Sequence, residues 1–121
     1  MARVLVVDDD DLVRATLRQM LENAGHQVLE ATNGREALAR FDDREVDMVI
    51  TDIIMPVKEG IETIRDLRKL APDLKILAIS GGSRGASADF LRMASKFGAN
   101  NVLAKPFRRE QVLKAVDEAL V

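Results

Sequence analysis

Two spacings of apolar residues alternate along the chain. Short apolar runs rich in β-branched residues occur at Val4–Val7, Val28–Ala31, Met48–Thr51, Ile76–Ile79 and Asn101–Ala104. Between and after them apolar positions recur at helical spacing. The first such stripe is Val13, Leu17, Met20, Leu21 and Ala24, with Thr16 its polar member. The others are Ala37, Leu38 and Phe41; Ile61, Ile64 and Leu67; Phe90, Leu91, Ala94 and Phe97; and Val112, Leu113, Val116, Ala119 and Leu120. Gly25 and Gly98 stand where the first and fourth helices should end, Pro72 follows the third, and Pro106 precedes the fifth. The pattern reads βαβαβαβαβα. Nearly continuous apolar strands are covered on both faces, and strand–helix alternation with right-handed crossovers makes a parallel sheet between two helical layers. The expected fold is α/β: a doubly wound, five-stranded parallel sheet of (βα)5 form.

At 121 residues the chain suits one domain, so residues 1–121 are expected to form a single unit with no output domain. A composition 47% hydrophobic and 31% charged is that of a globular protein. The net charge of −2, with both signs interleaved, provides no basic surface for nucleic acid and no polybasic patch for a membrane. Without cysteine, disulfides and thiolate zinc sites are excluded. No leader-like segment and no long apolar run is present, and a cytoplasmic location is expected.

Open α/β sheets bind ligands beyond the carboxyl ends of their strands. There the first strand runs into four carboxylates, in VLVVDDDD from Val4 to Asp11. The third ends at Asp52, the fourth at Ser80 and the fifth at Lys105; the second offers nothing assignable. In the flavodoxin-like order 2-1-3-4-5, strands one and three are neighbours, so Asp8, Asp9 and Asp52 would converge, with a hydroxyl and an ammonium beside them. Carboxylates packed together repel, and each costs several kcal/mol to desolvate. A hard divalent cation with oxygen ligands offsets this, and Mg²⁺ matches that description. Asp10 and Asp11 open the first helix and are assigned to capping and solvation there.

VLVVDDDD, VITDIIMPVKEG, Ser80 at the end of strand four and the AKPF segment together make the chain resemble the receiver domains of two-component response regulators, from Arg3 through the last helix. The resemblance implies that Asp52 accepts a phosphoryl group from a sensor histidine kinase or a histidine phosphotransfer protein. It implies that Asp8, Asp9, Asp52 and the backbone carbonyl of Ile54 hold Mg²⁺. Lys105 would contact the phosphoryl oxygens, Ser80 would turn toward them, and the Lys105–Pro106 bond would be cis. A downstream protein, unknown in identity, would meet the face formed by helix four, strand five and helix five. The domain would be a signalling module and not an enzyme.

The chain departs from that pattern. Val102 stands where an aromatic residue is common, and Ile54 and Gly82 carry no polar group to orient an attacking water. Slow loss of the phosphoryl group is expected, with the glycine-bearing segment Gly81–Ala88 acting as the switch. Two rival readings are a Mg²⁺-dependent phosphohydrolase with an aspartate nucleophile and a nucleotide- or flavin-binding module. Ile54 stands against the first, in place of the acid that would protonate a leaving group. The acidic first turn stands against the second, because it repels phosphate. An unphosphorylated adaptor is a third, disfavoured by the complete acidic set. His26, the single histidine, follows the cap Gly25 and is assigned a structural or surface role.

Overall fold

In a computed structural model the described residues are 2–42, 44–52, 57–80, 92–96 and 98–120. The elements run β1 (Arg3–Val7), α1 (Asp11–Asn23), β2 (Gln27–Ala31), α2 (Gly34–Arg40), β3 (Met48–Asp52), α3 (Val57–Leu70), β4 (Lys75–Ser80), β5 (Asn101–Ala104) and α5 (Arg109–Leu120). Helical residues 92–96, between β4 and β5, belong to α4. The sheet has order β2-β1-β3-β4-β5, and every pairing is parallel. This is the expected doubly wound, flavodoxin-like arrangement.

Alternate residues of each strand face opposite layers, which is why β1, β3 and β4 read as nearly unbroken apolar runs. Val4, Val6, Met48, Ile50, Leu77 and Ile79 pack with Leu17 and Leu21 of α1 and Val112 and Val116 of α5. Leu5, Val7, Val49, Ile76 and Ala78 pack with Ala37 of α2, Ile61, Ile64 and Leu67 of α3, and Ala94 of α4. Each fully buried aliphatic side chain contributes roughly 1.5–3 kcal/mol. The registers pair Val7 with Thr51, Asp52 with Ile79 and Ser80 with Ala104. Asp8, Asp52, Ser80 and Lys105 therefore reach the same edge of the sheet.

The strands outrun their apolar cores. β3 includes Asp52 and β4 includes Ser80, because ladder pairing continues past the last aliphatic residue. Gly25 and Gly98 adopt positive φ, 95° and 129°, and so terminate α1 and α4 as expected. Two members of the first helical stripe depart from it. Ala24 is exposed, since the helix ends at Asn23 and Ala24 is its C-cap. Thr16 is also exposed, and its hydroxyl donates to the Leu12 carbonyl at 2.8 Å. Of the two roles expected for His26 the structure shows the structural one: its Nδ1 accepts the Ala2 N–H at 3.1 Å. Phe90, Leu91 and Phe97 lie outside the described residues. Among the described residues, no helix is long and apolar enough to cross a membrane.

Candidate functional site

The acidic run divides by geometry. Asp8 extends the β1–β2 ladder by one bond, donating its N–H to the Ala31 carbonyl at 3.1 Å. Its Oδ1 then accepts the Asp10 N–H at 2.8 Å, a local turn that ends the strand. Asp10 is the N-cap of α1, accepting from the N–H groups of Leu12 at 2.9 Å and Val13 at 3.4 Å. Asp11 lies in the first turn and pairs with Arg14. Two carboxylates are left for the sheet edge; Asp10 caps the helix as expected, whereas Asp11 pairs with an arginine one turn on.

Asp8 and Asp9 meet Asp52 there. One carboxylate oxygen from each lies within 4.8 Å of the others. Asp8 and Asp52 are buried, and Asp9 is exposed. Lys105 completes the group. Its backbone N–H donates to the Ser80 carbonyl at 2.7 Å, which aligns the end of β5 with the end of β4. The Lys105–Pro106 peptide is cis, as the resemblance implied, and Phe107 packs against the core beneath α1 and α5. Lys105 Nζ stands 3.0 Å from Oδ2 of Asp8 and 3.0 Å from Oδ2 of Asp52. Ser80, fully buried, is one register step beyond the residue opposite Asp52.

Electrostatics follow from this crowding. Burial pushes the Asp8 carboxyl up to about 6; the Asp10 N–H opposes the rise, the Asp52 charge adds to it, and Lys105 opposes it. Burial pulls the Lys105 ammonium down, but its hydrogen bonds to Asp52 and Asp8 outweigh that and hold it above its ordinary value. Three carboxylates against one ammonium leave excess negative charge on hard oxygen donors. Such a set fits Mg²⁺, which takes one or two carboxylates and keeps water ligands, better than a metal preferring sulfur or imidazole. The Ile54 carbonyl, Gly82 and the segment Gly81–Ala88 lie outside the described residues.

Strand two, which the sequence pattern leaves unassigned, carries Glu30. Its carboxylate accepts from Arg14 Nε at 3.1 Å and Arg18 Nη1 at 2.6 Å. Arg18 foremost, against burial, and then Arg14 hold the Glu30 carboxyl below its ordinary value. The spacing of Arg14 and Arg18 places both on one face of α1 and was the available signal.

Comparison with known proteins agrees with the geometry. A family described as the response regulator receiver domain matches residues 4–117. The chain is 38% identical over 117 residues to the chemotaxis protein CheY of Thermotoga maritima, covering 96% of this chain and 95% of that protein. It is 40% identical over 121 residues to the sensor kinase CckA of Brucella abortus, covering 98% of this chain but 12% of the kinase. A solved response regulator receiver domain protein from Clostridium thermocellum superposes with a TM-score of 0.90 at 30% identity, over 99% of this chain and 94% of that one.

Proposed function

The chain belongs to the response regulator receiver domain family of two-component signalling, and from that premise we propose that Asp52 is its phosphoacceptor. The donor is a phosphorylated histidine on a sensor histidine kinase or a histidine phosphotransfer protein. An Asp52 carboxylate oxygen attacks phosphorus as the N–P bond of the phosphoimidazole breaks, and the electron pair stays on the departing nitrogen. The product is an acyl phosphate on Asp52.

Phosphoryl transfer needs positioning and charge neutralisation more than covalent assistance. Asp8, Asp9 and Asp52, with the backbone carbonyl of Ile54, would hold Mg²⁺. Bound there, the ion supplies positive charge to the transferred oxygens. Lys105 supplies the second positive charge, as a compact ammonium already resting between Asp8 and Asp52. Ser80 is the hydroxyl that meets the new phosphoryl group. The domain acts as a single receiver unit, and the signal leaves through the face of α4, β5 and α5 toward a target protein.

The observation that carries this reading is the shared Lys105 contact. One ammonium 3.0 Å from both Asp8 and Asp52 joins strands one, three and five at one point. Treating the protein with acetyl phosphate and Mg²⁺ and measuring its mass tests it. A single phosphoryl addition is expected, mapped to Asp52 and lost in Asp52→Asn and in Asp9→Asn. Undiminished labelling of Asp52→Asn would refute the assignment.

A further inference from the structure

We propose that Arg14 is a positioning residue for the metal-binding end of β1. The inference rests on the reading that Asp8 and Asp9 hold Mg²⁺. Arg14 Nη1 donates to the backbone carbonyl of Asp8 at 2.6 Å. Its Nε donates to Glu30 of β2 at 3.1 Å, and Nη2 to Asp11 of α1. The side chain is only 11% exposed.

These contacts fall where the sheet stops helping. The Asp8 N–H still bonds to Ala31, but the strand turns away at the next peptide. The carbonyl of that peptide, between Asp8 and Asp9, is held by the guanidinium. The N–H of the following peptide, between Asp9 and Asp10, is held by Asp8 Oδ1 at 2.8 Å. Asp9 therefore sits between two clamped peptides. Among the described residues no hydrogen bond reaches its exposed carboxylate, so the two held peptides are what fix the direction of its Cα–Cβ bond. Glu30 is steadied from the other side by Arg18 Nη1 at 2.6 Å, and Arg18 Nε reaches Glu22 at 3.2 Å. A chain of ion pairs rooted in β2 thus ends on the Asp8 carbonyl.

The role requires arginine. A planar fork sends donors in fixed directions and meets three acceptors on three segments, whereas an ammonium is a point charge on a flexible stem. Arg14 is already paired with two carboxylates, so what it contributes to the site is direction more than net charge. Arg14→Lys separates the two, because it keeps the charge and loses the fork.

The test is Mg²⁺ titration by calorimetry of the whole chain, beside thermal melting and Asp52 labelling by acetyl phosphate. Arg14→Lys is expected to weaken Mg²⁺ binding by about tenfold, the usual cost of losing a residue that orients a metal ligand. Its labelling at saturating Mg²⁺ should stay close to the unaltered protein's. Arg18→Lys, which touches Glu30 but not Asp8, should bind Mg²⁺ normally. If Arg14→Lys fails to fold, Glu30→Gln is the second variant, and a smaller loss of Mg²⁺ affinity is expected. Normal Mg²⁺ affinity in whichever of these two variants folds overturns the proposal, as does an equal loss in Arg18→Lys. Failure of the unaltered protein to bind Mg²⁺ would overturn the reading of Asp8 and Asp9, and this inference with it.

Discussion

Lys105 Nζ lies 3.0 Å from Asp52 Oδ2, though 53 residues of chain separate the two. The contact holds a positive charge beside the proposed nucleophile before any donor arrives. Removing one preorganised positive donor from such a site costs roughly 100-fold in rate. Lys105→Ala should therefore label at Asp52 about that much more slowly with acetyl phosphate. Lys105→Arg should recover little, because a planar fork does not fit the place of a compact ammonium shared by two carboxylates. Time-resolved mass measurement at saturating Mg²⁺ distinguishes these outcomes.

Asp8 is expected to destabilise the metal-free protein at neutral pH. Its carboxyl titrates near 6 when folded and at its ordinary value of 3.8 when unfolded. Between those values the folded state binds the extra proton, so the contribution of Asp8 to stability falls as pH rises toward 6 and stays low above it. Asp8→Asn removes that penalty. Without metal it should gain about 1–3 kcal/mol at pH 7. Urea midpoints should show the gap between variant and parent narrowing toward pH 4. Saturating Mg²⁺ should stabilise the parent and leave Asp8→Asn nearly unmoved.

Far from the site, Arg68 ties the end of α3 to the turn before β5. Nη1 donates to the carbonyls of Pro72 at 2.9 Å and Leu74 at 2.5 Å, and Nη2 to Gly98 O at 2.6 Å and Asn100 Oδ1 at 3.0 Å. Burial pulls its guanidinium below the ordinary value, against a weaker pull from Asp73. Arg68→Ala leaves partly buried carbonyls without this donor and should cost about 2–4 kcal/mol. Gly98→Ala should cost about 1 kcal/mol or more. There φ is 129° and an added Cβ would sit 3.3 Å from Arg68 Nε. Both losses should appear in urea melts, while Asp52 labelling of the folded variants is retained.

Asp10 and Asp9 are neighbours with separable effects. Asp10→Ala removes a helix cap and should cost about 1 kcal/mol of stability. It keeps the backbone N–H that Asp8 accepts, so Mg²⁺ affinity should persist. Asp9→Asn should do the reverse, abolishing Mg²⁺ binding with little change in the melt. Melting and calorimetry on the two variants check this exchange.

Periodicity made the sheet legible, because strands covered on both faces must be apolar at every position, as Val4–Val7 and Ile76–Ile79 are. Strand-end residues Asp8, Asp52, Ser80 and Lys105 were legible because a charged or polar residue closing such a run has few structural reasons to be there. Glu30 and Arg14 were not. Their pairing joins residues 16 apart on different elements, and an alternating strand such as Gln27–Ala31 makes Glu30 look like a solvent-facing position. Arg68 escaped for the same reason: its acceptors are mostly backbone carbonyls, which no side-chain pattern announces. Ala24 was misplaced because helical spacing says nothing of where capping ends a helix.

The Lys105–Asp8 bond spans 97 residues and joins the first strand to the residue just past the last. A growing polypeptide carries the proposed nucleophile, Asp52, once β3 has been made, but the ammonium of Lys105 can reach it only after β5 has been made and seated. If Asp52 is the phosphoacceptor, the complete site is thus a late property of the nascent chain, arriving with topological closure.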